Sequence, residues 1–202
     1  MLSDGKTRKT VYLDTETTSD LPGTAGRICQ LAYLVEDGGL RFQNFYFSTC
    51  PLSELSAKVV GLTDAEIQSR AAGRTFSDCA AEIAEDFAGA LLVAHNFRFD
   101  YWFLQYEFSA CGVPFRYREE LCTAKTFRKA LGIPRERGGI RRPKLCEICV
   151  FLGIREEEIR AVAQEFGEPP VGGWHDARFD AAAAYLVTRR GKTMGILPGR
   201  LS

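Results

Sequence analysis

Two carboxylates follow an apolar run near the start of the chain, in the stretch VYLDTETTSD. Successive side chains of a strand alternate between its two faces, so Asp14 and Glu16 would share one face at the end of a buried strand. Two carboxylates held this close repel each other, and burial raises their pKa further. The next basic residue along the chain is Arg27, so no neighbouring cation offsets that cost. A divalent metal ion, which prefers oxygen ligands, fits this pair.

Two further acids are predicted to lie on the apolar faces of helices. Asp100 shares its helical face with phenylalanine and leucine residues three, four and eight positions later. Asp180 shares its face with alanine and valine residues three, four and seven positions later, and the alanines would let this helix lie close to a sheet. Both acids should therefore point inward, so three separate segments contribute carboxylates of the same character.

The chain has only two histidines, and each lies five residues before one of these helix acids. His95 belongs to HNFRFD, and for it we favour a structural role, or one in support of the catalytic residues, over direct catalysis. His175 belongs to HDARFD and follows a flexible Val-Gly-Gly-Trp stretch just before a helix. Taken alone, His175 could equally be an ordinary surface-loop histidine.

Hydrophobic periodicity predicts the elements that must position these groups. The predicted strands are residues 10–14, 27–35, 39–48 and 91–96. The predicted helices are residues 76–89, 99–112, 120–132, 144–152, 155–167 and 178–190. The sequence EDGG between the second and third strands indicates a hairpin, and Thr63 with Glu66 forms a capping-box pattern. Strands that come first and then alternate with helices favour an α/β fold with a mixed sheet.

Length and charge limit the class of protein. The 202 residues suit one domain, which we place at residues 8–190, followed by a tail at 191–202 whose composition allows disorder. A hydrophobic content of 46% supports a packed core and excludes a disordered chain. Because 26 basic residues balance 26 acidic ones, any contact with nucleic acid must rest on local patches or on metal ions.

Cysteine usage and the lack of apolar segments indicate the compartment. Seven cysteines lie scattered, and the CxxC of Cys146 and Cys149 lacks the second pair that a zinc site needs. We therefore favour buried free thiols in a reducing compartment. The N-terminus has no apolar signal segment, and no stretch approaches the roughly 20 apolar residues of a membrane span. These features predict a soluble cytoplasmic protein with no membrane partner.

Three motifs, in this order, resemble the DEDDh branch of the DnaQ-like 3′–5′ exonuclease superfamily, which includes bacterial DNA polymerase III proofreading epsilon subunits and related exonucleases. The matching pieces are YLDTETTS, HNFRFDYWFL and HDARFDA. The His-x4-Asp spacing of the last piece marks this branch, since the sister branch has a tyrosine at the position of Asp176. The resemblance covers most of residues 10–190.

The resemblance implies a ribonuclease-H-like α/β fold, with a mixed five-stranded sheet flanked by helices, and two Mg²⁺ or Mn²⁺ ions. By position, Asp14 would bridge both metals, Glu16 and Asp180 would complete the first site, and Asp100 would hold the second. His175 would act as general base on the attacking water, a role that suits an imidazole because it titrates near neutral pH. The reaction would release a nucleoside 5′-monophosphate from a terminal phosphodiester.

The resemblance also implies contacts and partners. Thr17, Thr18 and Asn96 would touch the terminal nucleotide, and the substrate would be a single-stranded 3′ end of DNA or RNA. A polymerase or another replication or repair protein is a further candidate partner. The alternative is a catalytically weak nucleic-acid-binding or polymerase-docking subunit of the same fold, against which the presence of all five active-site residues argues.

A basic stretch near residues 134–144 stands out in the second half of the chain. Residues 133–144, IPRERGGIRRPK, contain five basic residues and one acid. Two interpretations stay open, an ordinary solvated loop and a phosphate-tracking surface beside the active site.

Overall fold

The computed structural model describes residues 8–167 and 169–198. Its five strands form one mixed sheet in the order β3-β2-β1-β4-β5. The strands are β1 (Thr10–Thr17), β2 (Ile28–Glu36), β3 (Leu40–Tyr46), β4 (Leu91–Ala94) and β5 (Glu119–Cys122). Strand β1 runs antiparallel to β2 and parallel to β4, and β2 and β3 form the predicted hairpin. The predicted α/β class with a mixed five-stranded sheet is confirmed.

Helices cover both faces of this sheet. They are α1 (Glu54–Val59), α2 (Asp64–Ala71), α3 (Phe76–Phe87), α4 (Arg98–Ala110), α5 (Thr123–Thr126), α6 (Arg128–Leu131), α7 (Leu145–Phe151), α8 (Glu156–Ala163) and α9 (Ala177–Thr193). The predicted capping box is present, since the Glu66 backbone N–H donates to Thr63 Oγ1 at 3.2 Å and the Thr63 N–H donates to Glu66 Oε2 at 2.8 Å. Among the described residues, no helix combines the length and the apolar content that crossing a bilayer requires.

The fifth strand, Glu119–Cys122, overlaps the first three residues of the stretch 120–132 that the sequence pattern assigned to a helix, so that assignment was wrong at its start. β5 pairs in parallel with β4, from Leu91 beside Glu119 to Ala94 beside Cys122. Four residues are too few to show the alternation of apolar and polar side chains that marks a strand. These residues are extended because they form hydrogen bonds with β4, although a helical pattern follows them. Gly132 ends α6 with a left-handed backbone, which glycine adopts without steric cost.

Strand β1 divides the core, because its alternate side chains pack into different clusters. Val11 and Leu13 belong to the cluster that includes α3 and α4 residues, whereas Tyr12 packs with Ala181 of α9. The buried alanines of α9 allow the close approach to the sheet that the sequence predicted. Residues Asp14 and Glu16, which follow Tyr12 at steps of two, therefore face α9.

The C-terminal region packs on the same layer as α7 and α8. Helix α9 continues to Thr193, and Leu197 is buried in the cluster that includes Phe127. A Cβ atom added at Gly191 would lie 2.7 Å from Phe127 Cζ, so the absence of a side chain lets the end of α9 pack closely there. The predicted tail at 191–202 thus begins with ordered residues, and its last four lie outside the described part.

All seven cysteines of the sequence are free. Cys149 is buried, as expected for a structural thiol, and burial raises its pKa to about 12. Cys146 is only partly buried and lies in the wall of a cavity at the end of the sheet.

Candidate active site

A cavity of about 710 Å³ opens beyond the C-terminal ends of β1 and β4, the edge where open α/β sheets bind ligands. Its lining includes all five residues proposed for catalysis, which are Asp14, Glu16, Asp100, His175 and Asp180. We call it the acidic cavity. Side chains separated by up to 166 positions in the sequence, from Asp14 to Asp180, are thus brought to one place.

Strand alternation positions the first two acids. Asp14 lies opposite Ala32 of β2, and Glu16 lies opposite Gln30. The register shifts between Glu16 and the next residue, so the regular ladder ends at the second acid. Glu16 is buried, while Asp14 retains intermediate exposure because it opens on the cavity.

Asp100 reaches the cavity from the opposite layer, as part of α4. Its Oδ1 accepts hydrogen bonds from the Thr15 backbone N–H at 3.1 Å and from Thr15 Oγ1 at 2.9 Å. Thr15 points to the α4 side because it lies between the two acids on β1. Thr15 was not among the predicted site residues, although the alternation rule that pairs Asp14 with Glu16 also predicts that Thr15 faces the other layer.

Asp180 and His175 are held together at the start of α9. The His175 backbone N–H donates to Asp180 Oδ2 at 3.1 Å, with the His175 backbone in the left-handed region at φ 69°. Asp180 Oδ1 is buried and has no hydrogen-bond partner among the described residues. Ligand atoms of Glu16, His175 and Asp180 all lie within 4.8 Å of one another, whereas Asp14 and Asp100 line the same cavity outside that group.

An internal ion pair supports the loop that carries His175. The fully buried Arg178 donates through Nη2 to Asp176 Oδ2 at 2.7 Å and through Nε to Asp176 Oδ1 at 3.0 Å. Asp176 also accepts from the Gly172 N–H at 2.9 Å and from Gln30 Nε2 at 3.2 Å. The resemblance had indicated Asp176 only as the position where the sister branch has a tyrosine. The ion pair between Asp176 and Arg178 forms because folding buries Arg178 at the start of α9. Sequence periodicity does not reveal that burial.

Among the described residues, no lysine or arginine forms an ion pair with any of the four carboxylates. Burial, followed by the other carboxylates, raises the pKa of Asp14 and Glu16 well above the usual range. Burial likewise raises the pKa of Asp100 and of Asp180 to about 7, against the opposing hydrogen bonds from Thr15 and the His175 N–H.

Such a donor set suits divalent cations. Hard cations such as Mg²⁺ and Mn²⁺ prefer carboxylate oxygens, and the unpartnered Asp180 Oδ1 is an oxygen that a cation would satisfy. A bound cation would also remove the charge repulsion that raises these pKa values. The residues present therefore fit a divalent metal site.

Comparison with known proteins assigns this arrangement to a family. The family model described as Exonuclease matches residues 11–188. The chain belongs to the exonuclease family. The matched range contains all five residues proposed for catalysis. The family assignment agrees with the superfamily that the sequence motifs indicated.

One relative is the 3′-5′ exonuclease DinG of Bacillus subtilis (strain 168), which is 29% identical over 148 residues. Solved structures of similar fold include E. coli Exonuclease I in complex with a 5cy-dT13 oligonucleotide, with 18% identity and a TM-score of 0.70. Exonuclease I from Methylocaldum szegediense has 16% identity and a TM-score of 0.69. These likenesses confirm the predicted ribonuclease-H-like fold.

This chain spans less than half the length of each of these longer proteins. The match with DinG covers 73% of this chain and 15% of DinG. Each of the two Exonuclease I matches covers 93% of this chain and 41% of the solved chain.

The three residues predicted to touch substrate have different surroundings in the exonuclease domain. Thr17 and Asn96 line the acidic cavity, and Asn96 Oδ1 accepts from Arg142 Nη1 at 3.3 Å. Thr18 lies outside the lining and is almost completely buried. Its hydroxyl donates to the Ala25 carbonyl at 3.1 Å and accepts from the Arg27 N–H at 2.9 Å. These bonds hold the loop after β1, and a contact between Thr18 and substrate stays a prediction.

His95 also lines the cavity, but its contacts are structural. Its Nδ1 lies 2.9 Å from Thr123 Oγ1. Burial lowers the pKa of His95 to about 4, against an opposing hydrogen bond to the Pro143 backbone. A neutral, anchored imidazole at this position agrees with the structural role predicted for it.

Asp180→Asn is expected to stabilise the metal-free protein at pH 8. The pKa of Asp180 in the folded protein is raised from 3.8 to about 7, so the folded state binds this proton more tightly than the unfolded state. The free energy of unfolding therefore falls as the pH rises from about 4 to about 7. Asparagine removes this loss because it carries no charge. At about 1.4 kcal/mol per pKa unit and about 2–4 °C per kcal/mol for a chain of this length, we expect the melting temperature in EDTA to rise by on the order of 10 °C.

Asp176→Asn is the matched control for this measurement. The hydrogen bonds of Arg178 lower the pKa of Asp176 in spite of its burial, so the same substitution four residues earlier should reduce the melting temperature. Saturating Mg²⁺ should stabilise the wild-type protein and have much less effect on Asp180→Asn. A lower melting temperature for Asp180→Asn in EDTA at pH 8 would contradict an unneutralised cluster.

Proposed function

We propose that this chain is a metal-dependent 3′–5′ exonuclease that hydrolyses the terminal phosphodiester of a single strand and releases a nucleoside 5′-monophosphate. The observation that carries the proposal is the acidic cavity, in which four carboxylates and an exposed histidine meet without a neutralising cation among the described residues. Membership of the exonuclease family and the likeness to DinG support the direction of cleavage.

The proposed metal ligands come from both layers of the sheet. Asp14, Glu16 and Asp180 would hold one divalent cation, and Asp14 and Asp100 would hold a second. When bound, the two cations would polarise the phosphoryl oxygens and stabilise charge on the leaving 3′-oxygen. Thr15 keeps Asp100 in place for this role through its two hydrogen bonds.

The proton in this reaction would be taken by His175. His175 is exposed on the cavity wall, so its imidazole can reach a water molecule, and general-base catalysis of this kind contributes about 10²–10⁴-fold. The Arg178–Asp176 pair would act as a positioning device, because it anchors the loop on which His175 lies.

The rest of the cavity suits a nucleotide. Leu55 and Val59 of α1 are exposed although they are apolar, and with Phe99 they contribute to the cavity lining. An apolar surface of this kind can receive the face of a base, whose stacking tolerates any sequence. The complex of E. coli Exonuclease I with an oligonucleotide is consistent with a single-stranded DNA substrate for this fold.

A docking role is a second candidate. Val150 and Phe151 of α7 are exposed, at 80% and 43%, beside a small pocket that Leu131 and Ile133 also line. Such a surface could bind a polymerase or another replication or repair protein. We further propose a cytoplasmic location, which the seven free cysteines support.

The experiment that tests the activity is digestion of 5′-labelled dT12 and U12 oligonucleotides in Mg²⁺, in Mn²⁺ and in excess EDTA. We expect a ladder that shortens from the 3′ end, with nucleoside 5′-monophosphate as product, and no cleavage in EDTA. The relative rates on the two strands would give the preference for DNA or RNA. Internal cleavage at early times, release of the labelled 5′ nucleotide, or undiminished cleavage in EDTA would each refute the proposal.

A further inference from the structure

A positively charged hairpin lies beside the acidic cavity. We define the basic hairpin as residues 133–144, IPRERGGIRRPK. The Pro134–Ile140 bridge closes it, with the Arg141 N–H donating to the Ile133 carbonyl at 2.8 Å and the Arg135 N–H donating to the Gly139 carbonyl at 2.9 Å. The segment is therefore a defined structural element.

Two arginines give this hairpin its structure, and a carboxylate balances the charge of one of them. Arg128 of α6 donates through Nε and Nη2 to the Ile140 carbonyl, at 3.1 and 2.7 Å. Arg141 forms a two-bond ion pair with Glu147 of α7, at 2.8 and 2.6 Å. The Arg141 charge is thus balanced locally, so the sequence-based count of five basic residues overstates the charge available to a ligand.

Four basic side chains of the hairpin remain exposed. They are Arg135, Arg137, Arg142 and Lys144. The ion pairs among the described residues do not involve any of these four, and the one acid within the hairpin is Glu136. The chain has no net charge, so this local excess is not part of a general basic character.

The free charges extend from the cavity lining to the tip of the hairpin. Lys144 is part of the cavity lining, and Arg142 contacts Asn96, which also belongs to the lining. Arg135 and Arg137 lie at the tip of the hairpin, where the chain turns back through Gly138 and Gly139, both with left-handed backbone. At about 3.3 Å per extended residue, the tip lies on the order of 10 Å from the rim.

We propose that the basic hairpin binds the phosphates of a single strand on the 5′ side of the nucleotide in the acidic cavity. This inference rests on the proposed function and adds the path of the substrate to it. The unneutralised carboxylates repel a phosphodiester, and the free cations of the rim and tip offset that repulsion along the strand. The chemistry recognised is the phosphate backbone, which DNA and RNA share.

Two double variants test the rim and the tip separately. The rim variant is Arg142→Gln with Lys144→Gln, and the tip variant is Arg135→Gln with Arg137→Gln. The matched control is Arg8→Gln with Arg116→Gln, because these exposed arginines precede β1 and β5 at the opposite edge of the sheet. Binding of fluorescent dT12, U12 and dT3 is measured by anisotropy in EDTA over a range of KCl concentrations, and digestion is measured in Mg²⁺.

Each hairpin variant is expected to weaken binding of dT12 by roughly tenfold at low salt and to reduce the slope of log K against log[salt] by about 1.4, since each phosphate contact on a single strand contributes about 0.7. The loss for the tip variant should be much smaller on dT3, which is too short to reach the tip. Equal effects on dT12 and U12 would indicate recognition of phosphate alone, and a difference would identify the preferred strand.

Failure of this inference can be told apart from failure of the proposed function. If the wild type digests dT12 but both hairpin variants keep the wild-type salt slope, the hairpin is an ordinary solvated loop. If the control variant loses as much affinity as the hairpin variants, the effect is one of overall charge, which also overturns the inference. If the wild type binds dT12 through the hairpin but does not digest it in Mg²⁺ or Mn²⁺, the exonuclease proposal fails and the binding surface stands.

Discussion

Asp14→Asn is expected to lower kcat for oligonucleotide digestion by about a thousandfold or more. Asp14 is the carboxylate proposed to serve both cations, and a metal site supplies several kcal/mol of transition-state stabilisation. At about 1.4 kcal/mol for each factor of ten, the loss of that site removes three or more orders of magnitude. Asparagine has nearly the same shape as aspartate, so the change isolates the charge.

The folded state should survive this substitution. Burial and the neighbouring carboxylates raise the pKa of Asp14, so a neutral side chain there relieves repulsion in the metal-free protein. We expect an unchanged circular dichroism spectrum and an equal or higher melting temperature in EDTA. A loss of activity in this variant therefore cannot be ascribed to unfolding.

Asp20→Asn is the matched control for Asp14→Asn. Asp20 is exposed at the rim of the same cavity, so the same chemical change there should leave kcat within about threefold, as expected for a surface substitution. Single-turnover digestion of 5′-labelled dT12 in saturating Mg²⁺ measures both variants. If Asp14→Asn kept a tenth or more of wild-type activity, Asp14 would not be a metal ligand.

His175→Asn is expected to slow the chemical step by about 10²–10⁴-fold, the range for loss of a general base. Asparagine is the appropriate replacement because it tolerates the left-handed backbone at this position, where φ is 69°. The backbone N–H that donates to Asp180 Oδ2 is retained. The substitution therefore removes the imidazole with little change to the loop.

The response of the melting temperature to Mg²⁺ separates two roles for His175. Its ligand atom lies within 4.8 Å of those of Glu16 and Asp180, so the imidazole could bind a metal instead of a proton. As a general base, His175→Asn keeps the stabilisation by Mg²⁺ while kcat falls. If the variant loses that stabilisation and digests dT12 at the normal rate in excess Mg²⁺, the histidine is a ligand and the base is another group.

His95→Asn is the matched control, since it makes the same change at the other histidine of the chain. His95 contacts Thr123 in a buried setting, so its loss should reduce stability by about 1 kcal/mol, the usual contribution of one hydrogen bond. We expect its kcat to change by less than tenfold. A larger fall in kcat than for His175→Asn would transfer the catalytic assignment to His95.

The direction of a side chain could be predicted from the sequence wherever it depends only on the backbone of one strand or helix. Alternation along β1 paired Asp14 with Glu16, and helical periodicity turned Asp100 and Asp180 inward. These inferences succeeded because side-chain direction follows from backbone geometry over a few residues. The capping box at Thr63 was predictable for the same reason.

Contacts between different structural elements were beyond such rules. β5 is a strand because it pairs with β4, and nothing within its four residues outweighs the helical pattern after it. The balancing of Arg141 by Glu147 changes which cations of the basic hairpin are free, and the Thr15 bonds that fix Asp100 join residues 85 positions apart.

The sequence by itself determined which residue types are available, namely four carboxylates on inward faces, a histidine five residues before the last of them, and most of the elements that carry them. Only the tertiary structure decided which groups share one cavity, which arginine charges are free, and that Thr18 supports a loop. The physical reason is that residue type and backbone period are local properties, whereas burial, neutralisation and raised pKa values arise from neighbours that folding brings together.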